Sequence, residues 1–169
     1  FRSLFDVQSF DMAVTDSIAN NPYHMEADVS WYANPFNKGC LVNDLDVVVL
    51  AALDVDVDFN VDVLTGHDGI LRGASGGHCD TAAGAKLSII TVPSMRNGVP
   101  SIRHQVQTVV TPGETVDAIV TERGIAINPL RQDLLAKARE ARLPVKDIGQ
   151  LKAEIEKTTG VPDEVEFSD

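Results

Sequence analysis

Leu45-Asp46-Val47-Val48-Val49-Leu50-Ala51-Ala52-Leu53 is almost continuously apolar and runs straight into Asp54. It lacks the polar alternation of a strand with one wet face, so it reads as a strand buried on both faces, of the kind found in a parallel sheet covered by helices. A short helix fits the same periodicity, but nine residues suit a strand better.

Downstream, 59–65 and 70–72 flank Gly66-His67-Asp68-Gly69, whose Asp-Gly pair supplies the positive φ of a tight reversal and predicts a hairpin. A glycine-rich loop, 73–77, leads into an alanine-rich helix over 80–86 and then a strand over 86–93. Segments 102–110 and 118–127 are further strand candidates, parted by the turn residues Thr111-Pro112-Gly113-Glu114. Residues 130–142 and 148–159 are amphipathic, with Asp147 as N-cap and Gly160 as stop, so a helical tail at about 130–160 closes the chain.

Upstream, Ser9 is the expected cap of a helix reaching Asn20, where Asn20-Asn21-Pro22 stops it. Residues 23–43, with the single Trp31, are expected to wrap the core with little regular structure, and 164–169 to fray. Strands alternating with helices give an α/β class, and 169 residues with 44% apolar content fit one domain spanning 1–169. The opening on Phe1, without Met or a leader pattern, predicts an internal piece of a longer protein.

The formal charge is −11, from 14 Lys and Arg against 25 Asp and Glu, and such a surface repels phosphate backbones and anionic lipid. Nucleic acid and membrane partners are not expected, and no apolar run approaches the roughly 18 residues of a membrane span. Cys40 and Cys79 lie far apart without ligand spacing, so neither a disulfide framework nor a zinc module is expected, and a reducing cytoplasm fits.

Gly73-Ala74-Ser75-Gly76-Gly77-His78 is the strongest local feature, a loop between predicted strand and helix where backbone amides can approach an anion. A plain strand-to-helix turn is the alternative. The loop also matches the G-x-S-x-G nucleophile pattern with Ser75. Downstream of Ser75, however, only His78, Asp80 and His104 are at hand, an order that cannot easily supply a triad. Asp54, Asp56 and Asp58 suggest a calcium loop, but Phe59 and Thr65 stand where such a loop wants Gly and Glu, so a solvated acidic edge is expected. The scattered histidines predict no metal site. Arg96, Arg103 and Arg123 fall near strand ends, where guanidinium forks suit a polycarboxylate; single surface ion pairs are the alternative. Glu122 reads as a paired carboxylate within an apolar strand, or as a site residue.

The segments Leu4-Phe5-Asp6-Val7-Gln8-Ser9-Phe10-Asp11, 45–54, Phe59-Asn60-Val61, 73–80 and Thr121-Glu122-Arg123-Gly124 together resemble the citrate lyase alpha chains, a family within the coenzyme A transferase superfamily. The run from Gly73 to Asp80, continued by Thr81-Ala82-Ala83, is similar to the alpha chains in particular; the glycine pair and the T-E-x-G run are similar to the wider superfamily.

The resemblance implies an open layered α/β sheet of the coenzyme A transferase type, of which this is the second, carboxy-terminal half. It also implies an acyltransferase that exchanges acetyl for citryl on the thiol of a dephospho-coenzyme A-derived group held by an acyl carrier chain. The implied partners are the beta (lyase) and gamma (acyl carrier) chains in an oligomeric assembly, with citrate and acetate as small-molecule substrates. Gly76, Gly77 and His78 are then the candidate catalytic residues. Asn60, Ser75, Arg96, Arg103, Glu122 and Arg123 are the candidates for holding or positioning the substrate. Many coenzyme A transferases use an acylated glutamate, which by motif order would lie upstream of Phe1; citrate lyase alpha chains are thought to proceed through a mixed anhydride instead. A subunit-docking module and a serine hydrolase using Ser75 are the rival readings.

Overall fold

A computed structural model describes residues 3–7, 11–34 and 36–162. Along the chain run β1 (Leu4–Asp6), α1 (Met12–Asn20), β2 (His24–Glu26), α2 (Val29–Ala33), β3 (Val47–Ala51), β4 (Asp54–Asp56), β5 (Val61–Asp62), α3 (His78–Gly84), β6 (Leu87–Thr91), β7 (Met95–Arg96), β8 (Val99–Pro100), β9 (Ile102–Arg103), β10 (Ala118–Thr121), β11 (Gly124–Ile127), α4 (Gln132–Glu140), β12 (Val145–Lys146) and α5 (Ile148–Thr159). The architecture is mixed α/β.

The main sheet has the order β12-β11-β10-β6-β3. β3, β6 and β10 are parallel, with Val49 opposite Ile89 and Ile89 opposite Ala118, and α3 makes the crossover from β3 to β6. β10 and β11 form an antiparallel hairpin that β12 extends in parallel. A smaller sheet, β5-β4-β9, packs into the same core. That core joins Ile90 and Ile119 of the main sheet, Val55, Val61 and Ile102 of the smaller one, and Ile148, Leu151 and Ile155 of α5. The three α5 residues recur at helical spacing, and each fully buried Leu or Ile contributes roughly 1.5–3 kcal/mol.

Several expectations are corrected. β3 is the edge of the main sheet, with Val47 47% and Val49 61% exposed, so the apolar run is not buried on both faces. Its outward valines pattern like core residues, and composition alone could not tell the two faces apart. Segment 118–127 is two strands folded over a turn at Glu122 and Arg123. Of 102–110 only β9 is a strand. Beyond it, buried carboxylates take the place of a ladder: Asp56 Oδ2 accepts from Val106 N at 3.3 Å and Asp62 Oδ2 from Thr108 N at 3.0 Å.

These carboxylates also correct the solvated acidic edge. Asp58 is exposed, but Asp54 is 8% and Asp56 1% exposed. Asp56 accepts from the amides of Asp58 and Asn60, holding a turn in which Phe59 takes φ 67 and drives its ring into the core. The left-handed conformation is costly for such a side chain and persists because the surrounding contacts fix it. The expected 59–65 arm is therefore a turn followed by β5, which pairs with β4. The reversal at 66–69 is present, with Gly69 at φ 73, but it carries a single bridge, Thr65 to Leu71.

The helical tail forms as read, capped by Asp147, which accepts from the amides of Gly149 and Gln150; β12, between the two helices, went unread. Ser9 and 164–169 lie outside the described residues. Asp11 caps α1 by accepting from Val14 N. Residues 23–43 are more regular than expected: α2 is capped by Asp28, and Trp31 meets Phe5 edge to face at 5.2 Å. Cys40 and Cys79 are free thiols. Among the described residues no helix is long and apolar enough to cross a membrane.

Candidate functional site

In an open α/β sheet, ligands bind outside the carboxyl ends of the parallel strands. Here the ends of β3, β6 and β10 lead into Ala52-Leu53-Asp54, Val92-Pro93-Ser94 with Met95 and Arg96, and Glu122-Arg123. Two long side chains bind consecutive carbonyls as β3 ends: His78 Nε2 lies 3.1 Å from Ala51 O, and Arg96 Nη2 donates to Ala52 O at 3.2 Å.

His78 does not face the glycine loop. Its ring turns inward, with Nδ1 2.6 Å from Thr111 Oγ1. A carbonyl only accepts, so Nε2 carries the proton toward Ala51 and Nδ1 accepts from the Thr111 hydroxyl. Burial pushes the imidazole below its ordinary pKa, against an opposing pull from the Ala51 carbonyl. The expected aim at the glycine amides is therefore corrected: His78 pins the start of α3 to the end of β3.

Residues 73–76 are exposed. Gly76 has φ +48 with open space where a side chain would begin, whereas a β-carbon on Gly77 would lie 2.6 Å from Tyr32 Cε1. Ser75 is exposed, and its carbonyl accepts from His78 N at 3.0 Å. With both ring nitrogens of His78 engaged elsewhere, His78 is not placed as the base of a serine-hydrolase arrangement.

Arg72, immediately before this loop, lines an open cleft together with Asp54, His67, Arg96, Asn97 and Val99. Its guanidinium is held by both carboxylate oxygens of Asp68, which lies well below the ordinary carboxylate range because of that hydrogen bonding. Behind the cleft, Arg103 Nε is 3.9 Å from Asp54 Oδ2, and both residues are 8% exposed. Burial pushes Asp54 up and Arg103 down, so desolvation outweighs an attraction acting at the long limit of an ion pair.

Glu122 and Arg123 converge on buried Ser94. Glu122 accepts from both the hydroxyl and the amide of Ser94, the latter at 2.9 Å, while Arg123 Nε donates to Ser94 Oγ at 3.1 Å. Burial pushes the Glu122 carboxyl up, but these bonds outweigh it and hold it below its ordinary value. Glu122 is thus a paired carboxylate at a turn, not within a strand. Asn60 is spent on structure: its Nδ2 donates to Asp56 and its Oδ1 accepts from Gly113 N at 2.9 Å.

All 169 residues match the family model described as citrate lyase, alpha subunit (CitF). The chain belongs to the citrate lyase alpha subunit family. It is 50% identical over 168 residues to the citrate lyase alpha chain of Klebsiella pneumoniae, covering 99% of this chain and 33% of that one. Identity to the Escherichia coli K12 citrate lyase alpha chain is likewise 50% over 168 residues. The chain thus spans about a third of the length of the curated relatives it matches.

Among solved structures, a citrate lyase alpha subunit from Streptococcus mutans, determined with citrate, superposes with a TM-score of 0.94 at 45% identity, covering 99% of this chain and 33% of that one. A point mutant of RipA shares the fold at a TM-score of 0.62 and 22% identity, over 87% of this chain and 34% of its own.

Within this citrate lyase alpha segment, Arg96 and Arg103 gather around Asp54, and Glu122 and Arg123 around Ser94. Asn60 and His78 are bound into the scaffold, and Ser75, Gly76 and Gly77 form the rim after Arg72. The sequence reading did not place Asp54, His67, Arg72 or Asn97 at a substrate site. For Asn97 the signal was present, since Asn97-Gly98 is a strong hairpin mark.

Proposed function

We propose that this chain is the carboxy-terminal portion of a citrate lyase alpha subunit and acts in the exchange of acetyl for citryl on a carrier thioester. The observation that carries the reading is the set of arginines, Arg96, Arg103 and Arg123, at or beside the carboxyl ends of parallel strands in a chain of net charge −11. Cations so placed in an acidic protein suit a polycarboxylate. The Streptococcus mutans relative, solved with citrate, supports the same substrate.

On this reading a citrate carboxylate oxygen attacks the acetyl thioester carbonyl, the carbon–sulfur bond breaks, and the carrier thiolate leaves a mixed anhydride. The thiolate then attacks the citryl carbonyl and expels acetate. No net proton transfer is required. The amides of exposed Gly76 and half-buried Gly77 are the donors for the developing oxyanions, and the arginines hold carboxylates for attack. The thiol belongs to a dephospho-coenzyme A-derived group on the gamma chain, and the beta chain cleaves the citryl thioester, all in the cytoplasm. The fold is then the layered coenzyme A transferase type, with the rest of the active site supplied from outside this chain.

The test is acetyl-to-citryl exchange followed by mass spectrometry of the carrier, using a full-length alpha subunit bearing this sequence and its assembled partners. Gly76→Val, which cannot hold φ +48 without strain and so turns the loop amides out of line, should slow exchange about a hundredfold, the scale of one misplaced oxyanion donor. Undiminished exchange removes the loop amides from the mechanism, and a wild-type assembly without exchange overturns the reading.

A docking role is the second reading, favoured by exposed Met12, Tyr23, Val29 and Phe36 at the amino-terminal end of the described chain. Charged substitutions at Tyr23 and Val29 that release the partner chains while sparing citrate binding would support it.

A further inference from the structure

β7 and β8 form a hairpin in which Met95 pairs with Pro100 and Arg96 with Val99. The two residues between, Asn97 at φ 52 and Gly98 at φ 82, have the paired positive φ values of a type I′ turn. Arg96 is therefore the last paired residue before one of the tightest reversals a chain makes. Its backbone is fixed, and its side chain lines the cleft with Asp54 and His67.

Arg96 differs from the other arginines near the strand ends. Arg72 is held by Asp68, Arg103 faces Asp54 at 3.9 Å, and Arg123 faces Glu122 at 3.9 Å. Among the described residues Arg96 makes no salt bridge, and its one side-chain hydrogen bond is that to Ala52 O. A guanidinium has five N–H donors, so most of its capacity is unspent.

Resting on the function proposed above, we infer that Arg96 grips a carboxylate of the acid substrate in this cleft while Asp54 accepts a hydrogen bond from the substrate hydroxyl, so that hydroxy acids are selected over plain acids. Asp54 does not repel the anion as a free carboxylate would. Arg103 stands 3.9 Å behind it and offsets its charge, and burial raises its pKa above the ordinary carboxylate value. Leu53 and Val99 supply the apolar wall for the methylene groups. A site that hydrogen-bonds a substrate hydroxyl rejects the analogue lacking it far more strongly than shape alone allows.

The experiment uses the full-length alpha subunit assembled with its partners, and citrate is compared with tricarballylate, which is citrate without the hydroxyl. Arg96→Gln should raise the KM for both acids about tenfold to a hundredfold and leave the carrier KM unchanged. Arg96→Lys, which keeps the charge but loses the fork, should fall between. Asp54→Ala should erase the preference for citrate over tricarballylate. Because that residue is buried, its folding is checked by near-ultraviolet circular dichroism, and exposed Arg96 provides the independent arm.

Calorimetric titration of citrate, without carrier, reads binding apart from turnover. Citrate affinity unchanged in Arg96→Gln overturns the assignment of the cleft even if exchange proceeds, as does a shift in carrier KM alone. Equal discrimination between the two acids in wild type and a folded Asp54→Ala overturns the role of Asp54. Arg96-dependent citrate binding in an assembly without exchange sustains the cleft and removes the transferase reading.

Discussion

Thr111 Oγ1 lies 2.6 Å from His78 Nδ1 and closes a contact across 33 residues of sequence. It ties the first turn of α3 to the strand-like bridge of Thr111 with Val61. Replacing His78 with Ala strands the Thr111 hydroxyl and the Ala51 carbonyl, so we expect a loss of about 2–4 kcal/mol in urea unfolding.

The same residue sets a pH dependence. Burial lowers the folded-state pKa of His78 below its ordinary value of about 6.5. The unfolded chain then binds the proton more readily than the folded one. Its contribution is full above about pH 6.5 and is lost progressively as the pH falls through the folded-state value. The difference in stability between wild type and His78→Gln should therefore shrink from pH 7 to pH 5, with a slope no steeper than about 1.4 kcal/mol per pH unit.

Asp62 holds two loops at once, accepting from the amides of Leu64, Thr65 and Thr108 and from the Thr65 hydroxyl. Asp62→Ala leaves these donors unpaired at a residue only 1% exposed. We expect roughly 3–5 kcal/mol of destabilisation and faster amide exchange at Thr108 than in wild type. A variant within about 1 kcal/mol of wild type would show that water replaces the carboxylate.

At the buried pair, Arg103→Met removes the cation facing Asp54, at an expected cost of about 3–5 kcal/mol at pH 7. Asp54 is already raised above its ordinary pKa by burial, and losing Arg103 raises it further. A carboxyl with a raised folded-state pKa favours folding below its unfolded pKa and loses that benefit as the pH climbs through the folded value. The variant should thus be nearest to wild type around pH 4 and furthest at pH 7, read from urea midpoints.

In the glycine loop, Gly77→Ala meets the Tyr32 ring at 2.6 Å, whereas Gly76→Ala meets nothing and incurs only the positive-φ penalty. We expect about 1–3 kcal/mol for the former and roughly 1 kcal/mol for the latter. Combining Gly77→Ala with Tyr32→Leu should recover part of the loss, a coupling that a double-mutant cycle measures.

Local signals in the sequence carried the terminal helices, the 66–69 reversal, β6 and the loop-to-α3 junction, because caps, glycines and periodicity act within a few residues. The edge position of β3 was hidden, since Val47 and Val49 look like core residues until the strand order is known. Segment 104–110 looked like a strand because Val106, Val109 and Val110 punctuate it, yet only Val106 is buried, and the amides of Val106 and Thr108 are held by Asp56 and Asp62 from 50 and 46 residues away. The arginines were named individually. Their sorting into Arg103 paired with Asp54, Arg123 drawn to Ser94, and Arg96 unspent is a property of tertiary placement. His78 was read as a loop ligand because its sequence neighbours are glycines, yet its partners are Thr111 and Ala51.

Among the described residues no strand pairs with the outer flank of β3, which has one more implication. Its outer row of amides and carbonyls, bordered by two outward valines, is a template on which another extended peptide can crystallise in register. Prepared as an excised fragment, this stretch would glue molecules together at high concentration, and a lysine or proline set into position 49 should keep such a preparation monodisperse.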